Sequence, residues 1–110
     1  MINHEVVVGN SSKRWLVGAF DIDNQPMPLT GCTCKIAVVD YESDETVIAP
    51  RDATELHSDG LRFVVQLTKA ETSQLTPGRV YMLVSEMTND SLFFDKEVKT
   101  YFKALKGYID

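Results

Sequence analysis

The chain has 110 residues, of which 44% are apolar, and a formal charge of −5 at pH 7. This length fits one domain covering residues 1–110, which on folding buries roughly two-thirds of the surface that the unfolded chain exposes. The acidic balance argues against sequence-independent binding of nucleic acid, and no apolar run approaches the roughly 20 residues needed to cross a bilayer.

Turn signals recur roughly every ten residues and divide the chain into short strand patterns. The first strand, 4–8, ends at a Gly-Asn-Ser-Ser turn. In the second, 14–22, both alternating faces are largely apolar, which predicts a central strand. In the third, 32–41, the alternation favours one core face formed by Cys32, Cys34, Ile36 and Val38.

The acidic segment 40–45 predicts a solvated hairpin tip, because its side chains are too polar to pack. Short edge strands are expected at 46–49, which ends at Pro50, and at 52–57. The clearest two-residue period predicts a strand at 61–67. Thr68 followed by Glu71 is the spacing of a capping box, which predicts one or two turns of helix over 68–75.

Two further strands are predicted at 79–87 and 92–105, joined by a turn at 88–91. The alternation in the last strand is irregular, and a bulge or a break near Asp95 would restore its register. Seven or eight short strands with one helical turn predict an all-β antiparallel sandwich. A partly open barrel is the alternative, because strand count alone does not decide whether a sheet closes.

Cys32 and Cys34 lie two apart on one predicted strand, with sulfurs on the same side. A zinc site would need further ligands, and the chain offers only His4 and His57 in addition. A disulfide is disfavoured because side chains two apart on an extended strand are about 7 Å apart. We therefore interpret the pair as reduced core thiols.

The alternating polar residues Asp21, Asp23 and Asn24 are the candidate loop site, since oxygen ligands at such spacing can converge on calcium. Pro26 and Cys32 depart from the EF-hand pattern at the turn glycine and the closing glutamate, which favours a plain polar turn. We expect no enzyme activity, because no nucleophile with a base, tuned carboxylate pair or phosphate-binding glycine loop can be identified.

The order of motifs resembles a family. An Asp-rich turn followed by Pro28-Leu29-Thr30-Gly31, a later strand 61–67 and the run Leu75-x-Pro77-Gly78-x-x-Tyr81 carry the likeness. The chain resembles the immunoglobulin-like β-sandwich domains of tailed-phage and prophage structural proteins, such as the N-terminal domain of the baseplate upper protein. It departs from them at Asn24-Gln25, where a glycine usually follows the Asp-rich turn. The L-x-P-G-x-x-Y run also occurs in unrelated sandwiches.

The resemblance implies a virion component of the tail, baseplate or head-tail region that docks onto other virion proteins or onto copies of itself. We expect no cofactor, nucleic acid or membrane partner, and assembly of the virion in the bacterial cytoplasm. The N-terminal sequence fits this expectation because it lacks a secretory pattern. Exposed strand edges and surface aromatics would supply the interface, and the candidates are Tyr41, Phe93 and Tyr101.

Two alternatives stay open at this point. The first is a ligand-binding module for carbohydrate or a host surface, with or without calcium, which would use the loop 21–30 beside Trp15 and the acidic hairpin. The second is a small acidic regulator that inhibits a host enzyme. The aromatic candidates also have a simpler explanation, in which all three complete the core.

Overall fold

The computed structural model describes residues 4–21, 23–89 and 94–107. Its elements, in chain order, are the strands and single helix β1 His4–Val7, β2 Trp15–Val17, β3 Thr33–Asp40, β4 Thr46–Asp52, β5 Phe63–Val65, α1 Lys69–Thr72, β6 Val80–Asn89 and β7 Phe94–Leu105. The helix among these residues is not long and apolar enough to span a membrane.

The strands form two sheets that pack as an all-β sandwich, which confirms the predicted fold class. The larger sheet has the order β1-β7-β6-β3-β4, and the smaller sheet pairs β2 with β5. Because the strands form two separate sheets, the alternative of a partly open barrel is wrong. Pairing is antiparallel except at one edge, where β1 runs parallel to β7 with His4 beside Phe102.

The core lies between the sheets, where the inward faces of both meet. Trp15 is only 5% exposed, and its ring lies 5.7 Å from that of Phe102, which in turn stacks on Tyr81 at 5.8 Å. The predicted core face of β3 is confirmed for Cys34, Ile36 and Val38, whereas Cys32 is half-buried.

Tyr81 is buried, and its phenol oxygen accepts a hydrogen bond from the backbone N–H of Thr76 at 2.7 Å. A tyrosine bonded in this way to backbone a few residues upstream forms a tyrosine corner, a hallmark of immunoglobulin-like sandwiches. The Leu75-x-Pro77-Gly78-x-x-Tyr81 run therefore builds the corner at which the chain enters β6.

The predicted capping box is present at α1. The Thr68 side chain accepts from the backbone N–H of Glu71, and the Glu71 carboxylate accepts from the backbone N–H of Thr68. The same carboxylate accepts hydrogen bonds from Arg51 Nε at 2.6 Å and from Arg51 Nη2 at 2.9 Å. Burial opposes ionisation of Glu71, but these hydrogen bonds outweigh it and lower the pKa of the carboxyl. The helix is thereby fastened to β4.

Several predicted strand bounds were wrong. The second strand is Trp15–Val17 rather than 14–22, and among the described residues it pairs with β5 alone, so it is not central. β4 continues past Pro50 to Asp52. It is an edge strand, so the backbone N–H that proline lacks is not needed for pairing on its open side. The predicted strand 52–57 does not form. Asp52 is the last residue of β4, and Leu56 makes only an isolated bridge with Phe63.

Three further expectations fail, in β7, at the end of β6 and at the hairpin tip. The β6–β7 register runs without a shift from Val80 beside Lys103 to Asn89 beside Phe94, so the predicted bulge near Asp95 is absent. The predicted turn 88–91 is partly strand, because β6 continues to Asn89. In the acidic segment, Asp40 is buried rather than solvated, since its carboxylate pairs with Arg79 at 2.7 Å.

Candidate functional site: the outer face of the five-stranded sheet

Side-chain alternation in β3, β6 and β7 sends one set of residues into the core and the other set to the outer surface of the larger sheet. The strand pairings arrange this outer set in four rows across β3, β6 and β7. We name them the end row (Tyr41, Val80, Lys103), the tyrosine row (Val39, Met82, Tyr101), the small row (Ala37, Val84, Lys99) and the charged row (Lys35, Glu86, Glu97). Together the four rows are the outer face.

Two exposed tyrosines stand at one end of the outer face. Tyr41 is 56% exposed and Tyr101 is 38% exposed, and their rings meet edge to face with centroids 5.7 Å apart. Exposed aromatic rings held in a fixed pair offer a large contact area at little cost in side-chain entropy, which suits a protein interface. The simpler explanation, in which these two complete the core, is therefore wrong.

The turn that carries Tyr41 is fixed by Asp40. One carboxylate oxygen of Asp40 accepts the backbone N–H groups of Glu42 at 2.9 Å and Ser43 at 3.2 Å, and the other accepts Arg79 Nη1. The bond from Ser43, with those from Glu42 and Arg79, lowers the pKa of this carboxyl against the opposing effect of burial. The backbone N–H of Tyr41 also donates to the carbonyl of Val80 at 3.0 Å.

The rest of the outer face is shallow. A depression of about 340 Å³ lies over the small row and is bordered by Lys35, Pro50, Glu86 and Glu97. On β3 and β6, large side chains thus lie at one end of the face, small ones at its centre and charged ones at the other end, whereas β7 carries Lys103 and Lys99 beside the first two groups. Sequence reasoning missed Met82 and Val84, although the alternation of β6 around the buried Tyr81 and Leu83 would have placed them on the outer side, where Val84 is half-buried and Met82 is only 9% exposed.

Of the predicted interface aromatics, Phe93 lies outside the described residues.

The candidate loop site consists of Asp21, Asp23 and Asn24, all of which are among the described residues. Asp21 Oδ1 accepts the backbone N–H groups of Asp23 and Gln25, both at 2.9 Å, so this carboxylate closes its own turn. Asn24 occupies a left-handed conformation with φ of 60°, which asparagine tolerates. Across residues 4–21, 23–89 and 94–107, no group of three or more His, Cys, Asp or Glu side chains is placed to hold a metal ion.

Trp15, the aromatic beside this loop in sequence, is enclosed by the core. A buried indole cannot stack on a sugar, so the ligand-binding hypothesis loses the residue that suggested it. The structure instead exposes Leu16 and Phe20, on the opposite side of the same segment. Their exposure follows from the alternation around Trp15, Val17 and Ala19, which point inward.

Leu16 and Phe20 line a groove of about 510 Å³ between the end of β2 and the inner side of β7. The remaining walls are mostly apolar and include Leu61 and Val98, and the Asp59–Arg62 ion pair of 2.8 Å stands at the rim. The backbone N–H of Leu61 and the guanidinium of Arg62 lower the pKa of Asp59. The groove is open because the three-residue strand β2 is too short to cover the longer β7.

The sequence matches no protein-family model and no curated protein.

Proposed function

We propose that this chain is a structural module of a tailed-phage or prophage particle, in the tail, baseplate or head-tail region, and that it works by docking and not by catalysis. The particle assignment is supported by the sequence resemblance, whose Leu75-to-Tyr81 run forms a tyrosine corner here. The docking assignment is supported by one observation above the others, the exposed Tyr41–Tyr101 pair on the outer face.

The composition of the outer face suits docking. The exposed aromatic pair lies beside the half-buried Val39 and Val84, with Met82 only 9% exposed between them, and this apolar patch is bordered by charged residues at both ends and along β7. Protein interfaces have this anatomy, with aromatic residues and methionine enriched at the centre and charges at the rim. A few buried aromatic anchors commonly supply most of the binding free energy of such an interface.

The test is incorporation into particles. We expect antibody against an epitope-tagged chain to label purified particles from the host that produces them. The double variant Y41A/Y101A should lower the particle-bound amount at least about tenfold. Loss of two aromatic anchors costs well over the roughly 1.4 kcal/mol of binding free energy that corresponds to a tenfold change in affinity. The matched control is L16A/F20A, which removes two exposed apolar side chains elsewhere and should leave incorporation unchanged. Unlabelled wild-type particles would refute the proposal.

A second candidate function is favoured by the groove beside Phe20. Its size falls within the roughly 300 to 1,000 Å³ of small-ligand sites, and its mostly apolar walls with one ion pair at the rim have the usual character of such sites. This candidate is a ligand-binding module for a host-surface molecule, with the loop 21–30 beside the groove. Calorimetry with calcium and a glycan panel tests it, and heat that disappears in L16A/F20A would support it.

A further inference from the structure

The outer face is complementary to itself. We infer that a second copy of this chain docks on it about a two-fold axis that runs across the strands, between the tyrosine row and the small row. This inference rests on the proposed docking function and names one partner for it. In this arrangement β3, β6 and β7 of one copy lie over the same strands of the other, running in opposite directions. Such an interface is isologous, because each contact occurs twice.

Shape is the first argument for this axis. Side chains on one face recur every second residue, about 6.8 Å apart along a strand, so neighbouring rows exchange places under the rotation. The tyrosine row of one copy then lies over the small row of the other. Because each strand lies over its own copy, Val39 faces Ala37 and Met82 faces Val84, beside the depression of about 340 Å³, whereas Tyr101 faces Lys99. On β3 and β6 a larger side chain thus meets a smaller one, as close packing requires.

Charge is the second argument. The same rotation brings the end row of one copy over the charged row of the other. Lys103 then faces Glu97, and Tyr41 faces Lys35, a pair that suits a cation–π contact. These residues are exposed in the single chain. Within one chain, Glu97 and Lys103 are six residues and about 20 Å apart. Glu97 has an exposed ion-pair contact with Lys99 Nζ at 4.0 Å, and exposed pairs of this kind contribute little.

The competing two-fold axis, parallel to the strands between β3 and β6, is less favourable. It would lay the central depression of one copy on that of the other and leave a void. It would bring Lys35 over Glu86, but it would also bring Glu97 toward Asp52, the β4 residue next to Lys35 in the strand register. Like charges directly opposed and an unfilled cavity both disfavour an interface.

The size of the face sets the expected strength. Three strands at about 4.8 Å spacing, over a length of eight residues, present on the order of 400 Å² per copy. Stable interfaces of standard size bury about 800 Å² per partner, so this dimer should be weak and dependent on concentration. The measurement must therefore cover micromolar to millimolar protein.

Charge reversal provides the test. Light scattering after size exclusion should show wild-type mass rising toward a dimer with concentration. E97K and K103E should each stay monomeric, because each places like charges opposite one another at two symmetric contacts. An equal mixture of E97K and K103E should dimerise again, since both contacts then join opposite charges. The control K13E changes an exposed lysine outside the outer face and should behave as wild type.

Each outcome decides something. A wild type that stays monomeric at millimolar concentration overturns the inference, as does dimerisation of E97K and K103E separately. Rescue in the mixture supports it, because a merely destabilised fold would not recover on mixing with another variant. Particle labelling is independent of this result. If particles are labelled but the chain is monomeric, the proposed function stands and only the second copy is excluded as a partner. If particles are unlabelled but the chain is dimeric, the dimer stands and the proposed function is refuted.

Discussion

The backbone N–H of Thr76 donates a 2.7 Å hydrogen bond to the phenol oxygen of Tyr81. This bond ties the connection after α1 to the start of β6, while the Tyr81 ring stacks on Phe102 in the neighbouring strand. One side chain thus fixes the direction in which the chain enters the larger sheet. It also sets the register from which Val80 and Met82 point outward.

Tyr81→Phe should lower the free energy of unfolding by about 1 to 2 kcal/mol, because the partly buried N–H of Thr76 loses its acceptor while the ring is kept. Urea denaturation followed by tryptophan fluorescence measures the difference, since Trp15 is enclosed by the core. The control is Tyr101→Phe, which removes an exposed hydroxyl and should change the value by less than about 0.5 kcal/mol. Equal effects of the two substitutions would contradict a structural role for the Tyr81 hydroxyl.

The Asp40–Arg79 pair predicts a dependence of stability on pH. The pKa of Asp40 is lowered on folding, so its contribution is complete above the unfolded value of about 3.9 and is lost as pH falls through the lower folded value. Asp40→Asn retains an acceptor for the backbone of Glu42 and Ser43 but no charge for Arg79. It should destabilise the protein at pH 7, and the difference from wild type should shrink as pH falls toward 3.

Denaturation curves at pH 7, 5 and 3 check this expectation. Glu42→Gln, which removes an exposed carboxylate from the same turn, serves as the control and should show neither effect. A difference between wild type and Asp40→Asn that stays constant down to pH 3 would show that the charge of Asp40 is not what stabilises the turn.

The features that sequence reasoning predicted correctly depend on neighbours close along the chain. The capping box needs only Thr68 and Glu71, three residues apart, and the β3 core face needs only alternation. Asp40 was misjudged because its partner Arg79 lies 39 residues away. The length of β2 was overestimated because local apolarity cannot show where a partner strand ends. The outer face could not be predicted as a surface, since its rows exist only once three strands are paired.

The capping box predicts a local cost at α1. Thr68→Ala should lower the free energy of unfolding by about 1 kcal/mol, because the N–H of Glu71 loses its acceptor at the helix start. Thr54→Ala is the matched control, at an exposed threonine outside the helix. Urea denaturation of both variants compares them directly. If Thr68→Ala costs no more than Thr54→Ala, tertiary contacts such as Arg51–Glu71 hold the helix without its cap.

The two thiols should differ in reactivity. Burial, with the negative charge of Asp52, raises the pKa of Cys34 to about 11, and its side chain is enclosed in the core, whereas Cys32 is half-buried at the start of β3. Because the thiolate is the nucleophile, iodoacetamide at pH 8 should modify Cys34 at least about 100-fold more slowly than Cys32. Intact mass spectrometry should therefore show one adduct in buffer and two in urea.

Single-cysteine variants assign the adducts. Cys34→Ser should keep the fast adduct and Cys32→Ser should lose it, provided that circular dichroism shows both variants folded. Equally fast modification of both thiols in buffer would contradict the structure, because Cys34 lies on the inner face of β3 and reacts only where the two sheets separate. The slow rate of Cys34 thus reports how often the sandwich opens. A dimer formed through the outer face should slow that rate further as concentration rises, since a partner that binds only the folded state stabilises it.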